Sequence, residues 1–163
     1  MDTQTLLTIH KRVITRDKRI KVTNNNLQWN LHIKEVDVND KGYYMCQINT
    51  EPMVSQLGYL DVLVPPAIID SGTSSDTVVE ERSKVSLRCE ASGYPMPNIT
   101  WRREDGKQIN TGSFGGHKFH LPQTTGEYLN ISQVTREDMA AYLCIAANGV
   151  PPSVSKRILL QVN

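Results

Sequence analysis

The 163-residue sequence has room for one large or two small domains, and its 39% hydrophobic content can build a core, which argues against disorder. Its 18 basic and 17 acidic side chains nearly cancel, so no global field attracts nucleic acid or an anionic membrane. The sequence has no run of about 18 apolar residues, and residues 1–5 lack the apolar stretch of a signal peptide, so we expect neither a membrane span nor a leader within it.

Short runs of β-branched and aromatic residues between turn signals predict an all-β fold without long helices. In chain order, the predicted strands are 5–9, 19–23, 29–33, 43–50, 58–64, 84–89, 98–101, 128–131, 141–147 and 157–162. Pro65 and Pro66 interrupt the pattern and predict a stiff linker. The predicted organisation is therefore one domain over 1–64, a linker at 65–66 and a second domain over 67–163.

The two predicted domains repeat each other. The pattern Leu-x-Ile-x-x-Val-x-x-x-Asp-x-small-x-Tyr-x-Cys occurs at residues 31–46 and again at 129–144, with every spacing identical. Identical spacing at so many positions is a specific sign of an internal repeat, and it predicts that both domains share one fold.

The second domain combines four features that define an immunoglobulin sandwich. Cys89 and Cys144 are 55 residues apart, Trp101 follows the first cysteine by 12, and Tyr142 precedes the second by two. In this fold the cysteines join the two sheets, the tryptophan packs on the disulfide, and the tyrosine hydroxyl bonds back to the corner. We therefore predict a complete immunoglobulin domain with a Cys89–Cys144 disulfide. Residues 95–101, with the pattern Pro-x-Pro-x-Ile-x-Trp, resemble the intermediate-type (I-type) set, which implies an I-type domain.

The first domain has the tyrosine corner, at Tyr44, and a cysteine, Cys46, but no earlier cysteine to pair with it. An immunoglobulin domain takes about 100 residues, so residues 1–64 predict a partial variable-type (V-type) domain that lacks its first strands and leaves Cys46 unpaired. We expect a truncated chain or an incomplete gene model, whose first domain does not fold alone. In variable-type domains an arginine at the position of Arg19 pairs with the aspartate before the corner, which predicts a salt bridge to Asp40.

Residues 44–53 (YMCQINTEPM), 58–62 (GYLDV) and 64–66 (VPP) resemble the insect Dpr-interacting proteins, with lachesin and the vertebrate IgLON adhesion proteins as more distant relatives. The resemblance implies a neuronal protein of synaptic wiring, on the extracellular face of the plasma membrane, whose signal peptide and anchor lie outside this chain. It also implies binding to Dpr-type immunoglobulin proteins, or to a second copy of itself, through the outer face of the first domain.

Strand alternation selects candidate residues for that face. Because Tyr44 and Cys46 are predicted to point inward, the alternate residues of their strand point outward. The predicted partner interface comprises Leu7, Ile9, Gln47, Asn49, Thr50, Glu51, Pro52 and Met53. In the alternative reading, Leu7 and Ile9 are core residues and Leu6 points outward, since a single bulge shifts the alternation.

Two sequons, Asn98-Ile99-Thr100 and Asn130-Ile131-Ser132, predict N-glycosylation at Asn98 and Asn130. Asn130 should face solvent, because its neighbours Leu129 and Ile131 are predicted to face inward. The basic residues within 11–21 favour a solvated strand edge over a site for heparin or nucleic acid.

No group of residues in the sequence predicts catalysis. His117 and His120 have no acidic or cysteine ligand beside them, and no phosphate-binding loop is present. We expect no cofactor, metal, nucleic acid or small-molecule substrate, and a function in recognition and adhesion. The alternatives are a ligand-binding receptor ectodomain and a truncated product without binding activity, because this fold hosts all of these.

Overall fold

The computed structural model describes residues 4–114 and 117–163, and these residues form β-strands and short 3-10 turns without an α-helix. They divide into two compact units, the first ending at Val62 and the second comprising Leu63–Asn163. Residues 1–3 of the predicted first domain lie outside the described residues. The predicted bounds of the two domains stay a prediction.

The first unit consists of three antiparallel strand pairs. Its strands are β1 (Thr8–Ile9), β2 (Arg12–Val13), β3 (Ile20–Asn24), β4 (Trp29–Ile33), β5 (Gly42–Ile48) and β6 (Val54–Leu60), with a 3-10 turn at Val38–Asp40. The pairs are β1 with β2, β3 with β4, and β5 with β6, each a separate two-stranded sheet. The strand predicted at 58–64 begins and ends four residues earlier, because β6 starts directly after the short loop that follows β5.

Few side chains of the first unit are buried. Among residues 4–62, Ile20 is the one buried residue. Leu31 is 41% exposed, and Cys46 is exposed and free of a disulfide. Because burial of apolar surface is the dominant favourable term in folding, these residues contribute little to the stability of the chain.

The second unit is a β-sandwich built from one five-stranded sheet and three strand pairs. Its strands are β7 (Val64–Ile68), β8 (Thr77–Val79), β9 (Val85–Arg88), β10 (Ala91–Tyr94), β11 (Asn98–Arg103), β12 (Ile109–Phe114), β13 (His117–Leu121), β14 (Thr124–Thr125), β15 (Tyr128–Ile131), β16 (Ala140–Ala147) and β17 (Val154–Val162), with 3-10 turns at Asp70–Gly72 and Arg136–Asp138. One sheet has five strands in the order β14-β11-β16-β17-β8. The pairs β15–β9, β10–β7 and β12–β13 each form a separate two-stranded sheet. All pairs are antiparallel except β17 with β8, which is parallel.

The core of the second unit surrounds a disulfide. Cys89, directly after β9, bonds Cys144 in β16, with the two Cα atoms 6.4 Å apart. Trp101 is fully buried in the same cluster, and its indole Nε1 donates a hydrogen bond to the carbonyl oxygen of Gly126 at 3.0 Å. Alternate residues of β9 and β15, such as Leu87, fill the other side of the cluster.

Pro65 and Pro66 lie within β7, where the sequence predicts a linker. A proline has no N–H for a ladder bond and is tolerated on edge strands, and β7 is such an edge, pairing with β10 alone. Gly93 of β10 has φ 153°, and a Cβ at this position would lie 3.1 Å from the carbonyl oxygens of Val64 and Pro65. A glycine in this conformation therefore lets β10 approach a proline-containing strand closely.

Candidate interaction surface

The hairpin of β5 and β6 carries a row of large side chains on one face. Residues that lie directly opposite each other in an antiparallel pair project from the same face. Three such pairs share one face: Tyr43 with Tyr59, Met45 with Leu57, and Gln47 with Ser55. We call these six residues the hairpin outer face.

Four of the six side chains are large, apolar and mostly exposed. Tyr43 is 62% exposed, Met45 58%, Leu57 57% and Tyr59 52%. The rings of Tyr43 and Tyr59 meet edge to face with their centroids 4.8 Å apart, a favourable aromatic geometry. Single exposed apolar residues are ordinary, whereas a contiguous group of them is typical of a binding surface.

The internal repeat distinguishes the two faces of this hairpin. Tyr44 and Cys46 align with Tyr142 and Cys144, both of which are fully buried in the second unit. Tyr44 and Cys46 therefore lie on the side that an immunoglobulin sandwich turns inward, although Cys46 is exposed here. The hairpin outer face lies on the opposite side of the strands, which the fold leaves to solvent or to a partner.

The predicted interface residues after Cys46 lie at one end of this hairpin. Gln47 belongs to the hairpin outer face, and its Nε2 donates a hydrogen bond to Oδ1 of Asn49 at 2.9 Å. Residues 49–53 form the loop between β5 and β6, and all of them are exposed. Within this loop, the hydroxyl of Thr50 donates to the carbonyl oxygen of Pro52 at 2.9 Å, and Met53 is 59% exposed.

Leu7 and Ile9 lie in a different sheet from Gln47. The strand predicted at 5–9 is only Thr8–Ile9, because a turn with His10 at φ 50° follows directly. Ile9 is 50% exposed and Leu7 is half-buried. Since β1 pairs with β2 and not with β5 or β6, the structure does not join these two residues to the hairpin in one sheet.

An ion-pair network lies beside the corner that precedes β5. The guanidinium of Arg19 binds both carboxylate oxygens of Asp40, at 2.7 and 2.8 Å, and the carboxylate of Asp17 at 2.9 Å. It also donates to the carbonyl oxygen of Glu35 at 3.0 Å. The hydroxyl of Tyr44 in turn donates to the carbonyl oxygen of Asp40 at 2.7 Å. These bonds fix the start of β3 against the corner from which β5 emerges.

Hydrogen bonds from Arg19, and a further one from the backbone N–H of Asp37, hold the pKa of Asp40 below its ordinary value of 3.8. The stabilisation linked to this lowered pKa is present above the pKa of the unfolded state and is lost as pH falls through the folded-state pKa. We expect Arg19→Ala to raise the pKa of Asp40 toward the ordinary value, as measured by NMR titration of its carboxyl carbon. Arg12→Ala, which removes an exposed arginine of β2, should leave that pKa unchanged, and an unchanged pKa in Arg19→Ala would contradict the network.

The second unit holds the remaining predicted residues. The hydroxyl of Tyr142 donates to the carbonyl oxygen of Asp138 at 2.9 Å, and burial raises the pKa of Tyr142 to about 12. Asn98 at the start of β11 and Asn130 within β15 are both exposed, on different sheets. Across residues 4–114 and 117–163, no three His, Cys, Asp or Glu side chains are grouped to hold a metal ion. No helix in these same ranges has the length and apolar character to cross a membrane.

Four residues of the hairpin outer face, namely Tyr43, Met45, Leu57 and Tyr59, are absent from the interface predicted from sequence. The alternation that selects Gln47 also selects Tyr43 and Met45, so this signal was present in the sequence. Leu57 and Tyr59 require the correct register of β6, which the sequence-based strand bounds misplace.

Comparison with known proteins adds independent information. A family model described as immunoglobulin domain matches residues 65–148. The chain is 36% identical over 154 residues to lachesin of Drosophila melanogaster and 40% identical over 150 residues to limbic system-associated membrane protein of Rattus norvegicus. These matches cover 92% and 90% of this chain, whereas the chain spans 40% of the length of each of these relatives.

Solved structures match nearly the whole chain. DIP-gamma IG1+IG2 is 44% identical with a TM-score of 0.82, over 98% of this chain and 78% of that one. A chain of the complex of Dpr2 Ig1-Ig2 with DIP-Theta Ig1-Ig3 is 52% identical with a TM-score of 0.80, over 99% of this chain and 54% of that one. The chain therefore belongs to the immunoglobulin superfamily, with DIP-gamma, lachesin and limbic system-associated membrane protein among its relatives.

Proposed function

We propose that this chain is part of a cell-surface recognition protein that binds another immunoglobulin-superfamily protein, of the Dpr type, through the hairpin outer face. One observation carries the proposal: Tyr43, Met45, Leu57 and Tyr59 are exposed together on the face of β5 and β6 opposite Tyr44 and Cys46, which the internal repeat aligns with buried residues of the second unit. Gln47 and Ser55 adjoin this apolar group, and an apolar centre with a polar rim is the usual composition of a protein interface.

The relatives support the class of partner. DIP-gamma has been solved bound to Dpr11 IG1, and DIP-Theta in complex with Dpr2. We infer from these relatives that the protein acts on the extracellular face of the plasma membrane, and that it binds a partner rather than catalysing a reaction. The chemistry of the hairpin outer face agrees with this inference, because tyrosine and methionine are enriched in interfaces whereas catalysis needs grouped ionisable side chains.

We expect Met45→Arg to weaken binding of a Dpr-type partner by about 30-fold or more, the loss typical of a central interface residue. An arginine here would place an unpaired charge between Tyr43 and Leu57, in the part of the interface that loses its water on binding. The measurement is surface plasmon resonance of the chain against a panel of Dpr first immunoglobulin domains.

Met96→Arg is the matched control, because Met96 is a 74% exposed methionine of the second unit. It should bind each Dpr domain as the unchanged chain does. Equal binding by the Met45→Arg chain would overturn the assignment of the face. If the chain binds itself and none of the Dpr domains, and Met45→Arg abolishes this self-association, the hairpin outer face remains the binding surface. The partner is then a second copy of this chain and not a Dpr protein.

A further inference from the structure

Strand β15 presents two neighbouring side chains to solvent in the second unit. Leu129 and Ile131 are only 2% and 1% exposed, so the strand turns these residues into the core. Tyr128 and Asn130 alternate with them and are both exposed. Residues two apart on a strand project from the same face with their Cα atoms about 6.7 Å apart, so Asn130 and Tyr128 are neighbours on one surface.

The surroundings of Asn130 leave room for a modification. Asn130 is the acceptor of the sequon Asn130-Ile131-Ser132. The residue directly across on β9 is Ser86, a small and exposed side chain, so nothing bulky stands opposite the asparagine. The amide can therefore extend into solvent without displacing a packed side chain.

Tyr128 is positioned by a charged residue across the strand pair. Arg88 lies opposite it on β9, with the guanidinium carbon 5.8 Å from the centre of the tyrosine ring. Two carboxylates, those of Glu127 and Glu90, hold this guanidinium in ion pairs. The tyrosine ring is thus supported from the β9 side, and it remains 51% exposed on the surface that also carries Asn130.

We propose that Asn130 carries an N-linked glycan whose first N-acetylglucosamine packs on the ring of Tyr128. In the transfer step, Nδ2 of Asn130 bonds to C1 of an oligosaccharide supplied by a lipid-linked diphosphate donor. The bond from C1 to the diphosphate oxygen breaks, the diphosphate leaves, and Nδ2 loses a proton. The C–H face of the pyranose then covers exposed aromatic surface, and removal of this apolar area from water stabilises the second unit.

The other sequon of the chain offers an internal comparison. Asn98 begins β11 and is also exposed, but the residue two positions before it is Met96, which is 74% exposed and supplies no ring. A glycan at Asn98 therefore gains no aromatic platform of this kind. Stabilisation by the sugar should be specific to Asn130.

The proposal rests on the proposed function in one respect, because glycosylation requires passage through the secretory pathway. The test supplies that route with a fused secretion leader in cultured animal cells, and it reads mass and thermal stability rather than partner binding. An absence of Dpr binding therefore does not change the outcome of this glycosylation test. Intact mass before and after enzymatic deglycosylation gives the occupancy of Asn130 and Asn98 in the secreted chain, with Asn130→Gln and Asn98→Gln identifying each site.

A double-mutant cycle tests the contact between the sugar and Tyr128. Ser132→Ala removes the glycan while keeping Asn130, and we expect it to lower the thermal midpoint of the second unit by about 3–6 °C. In the Tyr128→Ala background the same removal should have no effect, whereas Tyr128→Phe should retain the full difference because the ring remains. Trimming the glycan to its first sugar should leave the midpoint unchanged.

An unoccupied Asn130 in the secreted chain would overturn the proposal. So would an occupied Asn130 whose loss lowers the midpoint equally with and without the Tyr128 ring, because the sugar would then act without that contact. Removal of the glycan at Asn98 by Thr100→Ala serves as the control for glycan loss in general, since Met96 stands there in the place that Tyr128 takes before Asn130.

Discussion

Replacing Trp101 by alanine is expected to destabilise the second unit by about 3–5 kcal/mol, the usual cost of deleting a buried aromatic side chain. Trp101 is fully buried, lies directly opposite Cys144 on the neighbouring strand, and donates its indole N–H to Gly126. Alanine would leave a cavity beside the disulfide and would deprive the Gly126 carbonyl of its donor. Since a domain is stable by only about 5–15 kcal/mol, this loss is enough to make the second unit marginal.

Differential scanning calorimetry of the whole chain measures this loss, and Trp29→Ala is the matched control. Trp29 is 51% exposed on β4, so its removal creates no enclosed cavity and should leave the main transition in place. A thermal midpoint for Trp101→Ala equal to that of the unchanged chain would show that the core of the second unit does not depend on this side chain.

Loss of the Cys89–Cys144 disulfide is the second large effect that we expect. The bond closes a loop of 55 residues, and the chain-entropy relation gives about 4 kcal/mol for a loop of this length. The double variant Cys89→Ala, Cys144→Ala also leaves two voids in the cluster that contains Trp101. The midpoint of urea unfolding, followed by circular dichroism, should shift strongly toward lower urea concentration.

Cys46→Ser provides the control for this experiment, because Cys46 is exposed and makes no disulfide. Its urea midpoint should match that of the unchanged chain. Without reductant, an alkylating reagent should modify Cys46 in the folded chain and leave the other two cysteines unmodified. Alkylation of Cys89 or Cys144 under these conditions, or an unchanged urea midpoint in the double variant, would contradict the structural role given to the disulfide.

The fold of the second unit could be predicted from sequence because local and long-range signals agree there. The alternation in β15 identifies which residues face inward, and the spacing of Cys89, Trp101 and Cys144 is typical of the immunoglobulin sandwich. The position of Pro65 and Pro66 could not be predicted, since proline usually interrupts a sheet. Their place in β7 depends on the close approach of Gly93, a contact distant in sequence.

The candidate interaction surface was predicted only in part. The alternation of inward and outward side chains within β5 identifies Gln47 as outward, because this alternation can be followed in the sequence of a single strand. Tyr59 joins the same surface through the register between β5 and β6, and register depends on the loop between two strands rather than on either strand. For Leu7 the alternation gives no orientation, because the strand predicted at 5–9 is only Thr8–Ile9 and does not include this residue. Its place in an interface stays a prediction.

The parallel pairing of β8 with β17 has a mechanical consequence. Thr77, Val78 and Val79 pair with Leu160, Gln161 and Val162, so the two strands lie side by side and run in the same direction. In the sequence, β8 is near the start of the second unit and β17 is at its end. Tension applied between Leu63 and Asn163 would pull the two strands in opposite directions along their axes. The bonds between them would then be sheared together rather than opened one by one, so this strand pair should resist a pulling force applied along the chain.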